Sequence, residues 1–261
     1  MPELPDVEAL RIEMKRRIHG RTIADVHAVN DRRVLEANPQ RFTQQLKGRR
    51  VDDVARKGKF LWWVMDRGPC PIFHFAMTGE TIYGDANARE PDYTKAAFRF
   101  RGNLSVFVLS RRRLGRIALK DDPPGEPPIS ELGPDALYQL PGSDELEVML
   151  ARRSAAIKTV FMDQGFLSGV GNITADEILY QSGIDPHRPA DALSHDEIVT
   201  MREKIRYIMT KTIERNLKNK LPPTSWLFRH RDPDGDTLDG HRIENDEVGG
   251  RSTYWVPAEQ R

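Results

Sequence analysis

The pattern of apolar and polar residues changes along this chain of 261 residues. Apolar residues recur at helical spacing over residues 5–19, where Val7, Leu10, Met14 and Ile18 share one face, which predicts an amphipathic helix. From about residue 22 onward the apolar runs are short and strand-like. The predicted strands are 22–29, 60–65, 72–77, 96–101, 104–109 and 116–119. One helix followed by many short strands predicts a β-sandwich or flattened barrel.

A segment rich in proline and acidic residues follows the predicted strands. Residues 121–134 have the sequence DDPPGEPPISELGP, a composition typical of a linker or domain boundary. Helical patterns come next, at 143–153, 155–164, 172–182 and 194–216. The longest begins with a capping box formed by Ser194 and Glu197, and its isoleucines and methionines form a stripe that predicts a buried face.

The end of the chain returns to alternating apolar and polar residues. After Thr224, turn-forming pairs at Asp234-Gly235, Asp239-Gly240 and Gly249-Gly250 predict one or two β-hairpins. The predicted fold class is therefore α+β: an N-terminal helix with a β-sandwich, then a helical domain, then a C-terminal β-hairpin. The predicted boundaries are 1–120 for the sandwich, 121–134 for the linker, 135–222 for the helical domain and 223–261 for the hairpin.

Composition narrows the class of protein. A hydrophobic content of 38% supports a packed core, but no stretch approaches the ~20 apolar residues of a transmembrane helix. The acidic N-terminus lacks the apolar core of a signal peptide, so we expect a cytoplasmic protein without a membrane partner. Cys70 is the only cysteine, which excludes an intramolecular disulfide and any zinc site of two or four cysteines.

The charges are unevenly distributed although the formal net charge is only +1. Arginines cluster between residues 111 and 116, and Lys57 and Lys59 flank Gly58. The charged residues of 202–231 are mostly basic, whereas acidic residues concentrate at 121–147 and 232–247. Basic clusters set apart from acidic ones are compatible with a basic groove for nucleic acid.

Candidate chemistry lies at the start of the chain, which opens MPELPDVE. The initiator methionine is expected to be removed before proline, which leaves the nitrogen of Pro2 as a free secondary amine. An α-amino group titrates at about pH 8, so a useful fraction is unprotonated at neutral pH. Such an amine can attack an electrophilic carbon and form an iminium, or Schiff base. Glu3 follows directly and could act as acid or base, although the local pattern alone favours a stiff lead-in to a helix.

Seven strings in one order give the chain a specific resemblance. They are PELPDVE, RKGKF, HFAMTG, RRRLGR, LGPDAL, AAIKTVFMDQ and GVGNITADEILYQSGI. They resemble segments of the bacterial formamidopyrimidine-DNA glycosylase and endonuclease VIII family of base-excision repair enzymes, and the opening string is closer to the formamidopyrimidine branch. Because the likeness runs over nearly the whole chain, it implies the family's fold and a DNA-repair glycosylase.

The resemblance implies three catalytic residues. Pro2 would be the nucleophile at C1′ of the damaged nucleotide, and Glu3 the acid or base that assists base loss and ring opening. Lys59 would be the strand lysine that contacts phosphate and assists elimination, and its charge would also disfavour protonation of the amine. The implied outcome is cleavage of the abasic site by β,δ-elimination. The implied partner is double-stranded DNA that contains damaged bases or abasic sites, bound by a nucleoid-associated monomer.

The resemblance also implies contacts to DNA. Base flipping leaves a gap in the duplex that inserted side chains can fill. Met77, Arg113 and Leu114 match this wedge, with leucine where phenylalanine is usual in the formamidopyrimidine branch. Asn172 opens a helix after Gly169-Val170-Gly171, in a helix-two-turn-helix. The implied phosphate contacts are Lys57, His74, Lys158, Asn172 and Arg251.

Two departures from the family pattern concern cofactor and substrate. The family's C-x2-C-x16-C-x2-C zinc finger would fall on Asp236, Asp239, Val256 and Glu259, none of which is cysteine. We therefore expect no structural zinc, no other cofactor, and a zinc-less finger held by packing of aromatic residues. Those residues are Trp226, Phe228, Tyr254 and Trp255. Residues 216–224 are short for a loop that caps 8-oxoguanine, so oxidised pyrimidines, ring-opened purines and hydroxymethyluracil stay open as substrates.

Two other functions stay open beside the glycosylase. A catalytically weak paralogue would bind damaged DNA without excising a base, and the unusual wedge and missing cysteines motivate that alternative. A ribosomal-type or single-stranded nucleic-acid binder would use the helix-two-turn-helix alone. The intact Pro2-Glu3 pair argues against this last possibility.

Overall fold

The computed structural model describes residues 2–232 and 236–261. These residues form two compact units. The first contains Pro2 and Val7–Glu131, and the second contains Glu3–Asp6 and Leu132–Arg261. Helix α1, Leu4–Ile18, begins one residue earlier than predicted and contributes residues to both units.

The first unit is a β-sandwich, as predicted. Its elements in chain order are β1 (Ile23–Ala28), α2 (Pro39–Leu46), β2 (Val51–Lys57), β3 (Phe60–Met65), β4 (Cys70–His74), β5 (Gly79–Gly84), β6 (Thr94–Phe100), β7 (Leu104–Ser110) and β8 (Arg116–Lys120). One antiparallel sheet has the strand order β1-β6-β7-β5 and the other has β2-β3-β4-β8. Trp63 of β3 meets Phe98 of β6 edge-on, with ring centroids 4.5 Å apart. Because these two strands belong to different sheets, the core lies between the sheets.

Most predicted strands are found within two residues of their predicted ends, and β3 has the predicted bounds. The prediction of a strand over 72–77 is wrong in its bounds. Strand β4 starts at Cys70 and ends at His74, and Met77 lies in the turn that follows. Met77 is therefore an exposed turn residue and not part of the strand.

Three elements of the first unit were not predicted. A β-bulge between Val51 and Asp53 disturbs the alternation of β2, which removes the period-two signal. Strand β5 begins and ends with glycine, a residue that is depleted in strands. Helix α2 did carry a signal: the Asn38 side chain accepts a hydrogen bond from the N–H of Gln40 (2.9 Å), and Pro39 is the first helical residue.

The second unit is helical and matches the predicted pattern. Its helices are α3 (Ser143–Leu150), α4 (Ile157–Met162), α5 (Asn172–Ser182) and α6 (His195–Asn216). Helix α5 has the predicted bounds and α6 begins one residue later than predicted, whereas α3 and α4 are shorter than predicted. The capping box of α6 is confirmed: the Ser194 N–H donates to the Glu197 carboxylate (2.8 Å), and the Ser194 hydroxyl accepts from the Glu197 N–H. The isoleucine and methionine stripe of α6 is buried.

The chain ends in two β-hairpins, formed by β9 (Thr237–Leu238) with β10 (His241–Arg242) and by β11 (Glu244–Val248) with β12 (Arg251–Trp255). They turn at Asp239-Gly240 and Gly249-Gly250, all four residues with positive φ, as the type I′ turn of a two-residue hairpin requires. The predicted Asp234-Gly235 turn lies outside the described residues. The small apolar core of the two hairpins, called the finger core below, consists of Leu227, Leu238, Ile243, Tyr254 and Val256.

The predicted aromatic packing of the finger is only partly right. Tyr254 is in the finger core, but Trp226 belongs to the helical core, and Phe228 is exposed. Trp255 is half-buried against His187. Within the described residues, no helix has both the length and the hydropathy needed to cross a bilayer. The predicted domain boundaries stay predictions.

Candidate active site and nucleic-acid interface

Glu3 is held at the N-terminus of α5. Its buried carboxylate accepts hydrogen bonds from the N–H groups of Ile173 (3.0 Å) and Thr174 (2.9 Å), and from the Thr174 hydroxyl. A Cβ at Gly171 would overlap this carboxylate, which is why glycine stands directly before the helix. The first N–H groups of a helix have no partner within the helix, and they carry partial positive charge. They therefore orient the Glu3 side chain.

The main chain beside Glu3 is fixed as well. The Glu3 N–H donates to the Asp6 carboxylate (2.8 Å), and the Leu4 N–H donates to the carbonyl oxygen of Gly169 (3.1 Å). Gly169 has φ of +103°, and a Cβ there would overlap the Leu4 side chain. Pro2 precedes this anchored pair and is half-buried. The close approach of Leu4 and the positive φ together explain why position 169 is a glycine.

In the first unit, Lys59 lies in the two-residue turn between β2 and β3 rather than on a strand. Lys57 is the last residue of β2, and both lysines are half-buried. Arg56 fixes this turn, because its guanidinium donates to the Gly58 carbonyl oxygen (2.8 Å) and to the Glu8 carboxylate (2.8 Å). The Glu8–Arg56 pair is buried. Sequence reasoning missed it, although an arginine among the inward positions of a strand is a signal.

His74 ends β4, between Phe60 of β3 and Arg116 of β8. Its ring is 4.7 Å from the Phe60 ring, centroid to centroid. Burial lowers the pKa of His74 to about 4, and the charges of Lys59 and Arg116 contribute to this shift. The imidazole is therefore neutral at pH 7. If His74 contacts a phosphate, it does so as a neutral hydrogen-bond donor rather than as a cation.

The predicted wedge residues lie on two touching turns of the first unit. Met77 is 47% exposed and Leu114 is 45% exposed. The Arg112 N–H donates to the Thr78 hydroxyl (3.2 Å), which joins the turn of Met77 to the turn of Leu114. Two exposed apolar side chains therefore lie on adjoining turns, and proteins that kink DNA insert apolar side chains of this kind between base pairs. The geometry therefore suits insertion of both side chains into a base stack.

Arg113 does not extend freely from its turn. Its guanidinium forms a two-pronged pair with the Asp31 carboxylate, both bonds being 2.7 Å. Lys95 also donates to Asp31 (3.0 Å). These cations hold the pKa of Asp31 well below its usual range. Sequence reasoning did not predict Asp31, which orients the residue expected to face the orphaned base.

The predicted phosphate contacts of the second unit differ in accessibility. Asn172 is the first residue of α5, and its side-chain N–H donates to the Ser252 carbonyl oxygen (2.9 Å). Arg251 is exposed at the start of β12. Lys158 is fully buried, and its ammonium contacts Asp176 (2.6 Å) and the Thr253 hydroxyl (2.7 Å).

The placement of Lys158 departs from the prediction of a direct phosphate contact. Its ammonium already has three oxygen neighbours, since it also donates to the Ser252 carbonyl oxygen (2.9 Å). Asp176 in turn accepts from the Tyr254 N–H (3.1 Å) and pairs with Arg231. A buried charge needs such partners to offset its lost hydration. In this conformation Lys158 joins α4 and α5 to the β11–β12 hairpin.

The four positions that zinc ligands would occupy do not suit the metal. Val256 is fully buried in the finger core, and its side chain has no donor atom. The Asp236 carboxylate is already hydrogen-bonded to the His230 ring (2.8 Å) and to the Thr237 N–H (2.7 Å). Asp239 lies in the turn between β9 and β10. The residues present therefore do not fit a tetrahedral zinc site.

Comparison with known proteins defines first a class and then a family. The H2TH domain model of formamidopyrimidine-DNA glycosylase matches residues 132–220, so the helical unit is of the helix-two-turn-helix class. The N-terminal domain model of formamidopyrimidine-DNA glycosylase matches residues 1–117. The chain belongs to the formamidopyrimidine-DNA glycosylase family.

Individual relatives agree with this assignment. The formamidopyrimidine-DNA glycosylase of Arabidopsis thaliana is 33% identical over 100% of this chain and 71% of that protein. The enzyme of the same name from Moorella thermoacetica is 32% identical over 84% of this chain and 80% of that protein. The Lactococcus lactis enzyme, solved non-covalently bound to DNA with an AP site, has a TM-score of 0.88 at 23% identity and full coverage of both chains. MutM in complex with DNA containing carbocyclic 8-oxo-G gives 0.87 at 24% identity, again with full coverage of both chains.

Proposed function

We propose that the chain removes damaged bases from double-stranded DNA through Pro2 and then cleaves the abasic site. Membership of the family makes it a DNA-repair glycosylase and lyase with DNA as its partner. The observation that carries the proposed mechanism is the buried, oriented carboxylate of Glu3, directly after Pro2. A free amine next to a fixed acid or base is the minimal arrangement for Schiff-base chemistry.

The proposed steps follow from these groups. The Pro2 nitrogen attacks C1′ as the bond from C1′ to the base breaks, and the base leaves with a proton taken from water. The Glu3 carboxylate accepts the proton that the Pro2 nitrogen loses. Glu3 then gives this proton to the ring oxygen as the bond from C1′ to that oxygen breaks, so the sugar opens and the C1′–nitrogen bond becomes the iminium. The iminium acidifies C2′, so loss of a proton there expels the 3′ phosphate, and a second elimination expels the 5′ phosphate. Lys59 would hold the backbone phosphate during these steps.

Borohydride trapping on duplex DNA with an abasic site tests the mechanism. Borohydride reduces the iminium to a stable protein–DNA adduct, and we expect that adduct from the processed wild type. We expect none from a form that retains Met1, because its Pro2 nitrogen is an amide, and little from Pro2→Gly. Pro5→Ala is the matched control, since Pro5 lies in the first turn of α1, and should trap normally.

The same assay separates the alternative function. A chain that binds abasic DNA with the expected affinity but yields no adduct would be the non-catalytic damaged-DNA binder. Adducts that persist when Met1 is retained would instead identify another amine as the nucleophile. Either result would refute the proposed role of Pro2.

We also propose that the C-terminal finger folds without zinc. The buried Lys158–Asp176–Arg231 group and the apolar finger core supply the cohesion that thiolate–zinc bonds would otherwise give. Protein purified and dialysed against a strong chelator should melt at the same temperature as untreated protein and bind abasic DNA equally well. A lower melting temperature that is restored by added zinc would contradict this proposal.

A further inference from the structure

We infer that Asp6 and Asn216 are positioning residues that hold the reactive N-terminus in place, an inference that rests on the function proposed for Pro2 and Glu3. One oxygen of the Asp6 carboxylate accepts from the Glu3 N–H (2.8 Å). The other oxygen accepts from the side-chain N–H of Asn216 (2.8 Å). A single carboxylate therefore bridges the start of α1 and the end of α6.

The first bond acts on the peptide that carries Pro2. Asp6 is the third residue of α1, the position from which a side chain reaches back to the N–H of the residue before the helix. That N–H belongs to the planar Pro2–Glu3 peptide bond. Because Asp6 fixes the orientation of this plane, it limits the motion of Pro2 to rotation about its own bonds. The α5 N-terminus fixes the Glu3 side chain independently.

The second bond, from Asn216, holds the Asp6 carboxylate in one orientation. A carboxylate with one partner can rotate about its side-chain bonds, whereas a carboxylate held at both oxygens has one orientation. Asn216 is the last residue of α6. An open groove is lined by Asp6, by Asn216 and by three residues of the segment after it, Asn219, Lys220 and Leu221. The hydrogen bond from Asn216 therefore anchors the end of α6 and at the same time fixes the carboxylate that orients the N-terminus.

Single-turnover borohydride trapping on abasic duplex DNA, with DNA affinity measured separately, tests this inference. Asn216→Ala should slow adduct formation by roughly 10- to 100-fold, because a small misplacement of a reacting group has effects of that order. The dissociation constant for DNA should change by less than about twofold, since the bond orients the protein rather than touching DNA. Asn216→Asp should be at least as slow, because two carboxylates would then face each other.

Two further variants complete the test. The double variant D6N/N216D exchanges donor and acceptor while it keeps an oxygen for the Glu3 N–H, so it should recover most of the trapping rate. Asn219→Gly is the matched control: it removes another amide of the same groove at a residue whose φ is +51°, and it should trap like wild type.

The outcomes separate this inference from the proposed function. No adduct from wild type would refute the Schiff-base mechanism itself. A normal adduct rate from Asn216→Ala, with wild type active, would overturn the positioning role alone. A rate loss matched by an equal loss of DNA affinity, or no recovery in the folded double variant, would also overturn it.

Discussion

The buried Lys158 ammonium offers the sharpest test of how the zinc-less finger is held. Lys158→Met keeps most of the aliphatic volume but removes the charge that contacts Asp176 at 2.6 Å and the Thr253 hydroxyl at 2.7 Å. Breaking a buried ion pair by removing one partner costs about 3–5 kcal/mol. Arg231 would still pair with Asp176, so we expect the lower end, about 3 kcal/mol.

That free energy acts mainly on the β11–β12 hairpin, whose residues Ser252 and Thr253 contact the Lys158 ammonium. A loss of about 3 kcal/mol corresponds to a roughly hundredfold increase in local opening. Hydrogen exchange of the amides of residues 244–255 measures this opening directly. Lys211→Met is the control, since that exposed lysine forms a surface pair with Glu214 (3.0 Å) and its loss should cost no more than about 1 kcal/mol.

A particular result would refute this reasoning. If Lys158→Met left exchange in 244–255 unchanged but reduced the salt dependence of DNA binding, Lys158 would contact phosphate directly, as the family resemblance implied. Faster exchange with an unchanged salt dependence would instead establish that it anchors the hairpin.

Three further results are expected. Burial raises the pKa of Glu177 from 4.5 to about 7, so the folded state loses stability as pH rises from about 4.5 to above 7 and the side chain becomes charged. Glu177→Gln should therefore have the same free energy of unfolding as wild type near pH 4, and one about 2–3 kcal/mol higher at pH 8, as measured by thermal melts. Arg251→Gln should lower the slope of log affinity against log salt concentration by about one. His74→Gln should leave this slope unchanged, because that imidazole is neutral at pH 7. Equal slopes for the two variants would refute the assignment of Arg251 as a charged phosphate contact and His74 as a neutral one. Leu114→Ala should slow base excision from duplex DNA by roughly tenfold. It should leave cleavage of a single-stranded abasic substrate unaffected, because a single strand has no base-pair stack for the side chain to fill. Equal losses on both substrates would argue against a wedge.

Local patterns along the chain were enough to predict the larger elements. Helix α6 was predicted within a residue because its capping box and apolar periodicity act over neighbouring residues. Helix α5 was predicted because it lies between Gly171 and the left-handed cap Gly183. Strand β3 was predicted because it is a short continuous apolar run. Strand β2 was not, because its bulge breaks the alternation and its burial depends on the facing strand. The motif strings carried the family because they combine residue identity with order over the whole length.

The sequence by itself determined which chemical groups the chain offers: a proline and a carboxylate side by side near its start, and apolar and basic residues in the motif strings. Only the tertiary structure decided how those groups are held, because the partners lie far apart in the chain. Glu3 meets Thr174, Asp6 meets Asn216, and Lys158 is buried against Thr253. Whether a lysine is a surface cation or a buried anchor depends on its desolvation and its partners, and long-range packing sets both.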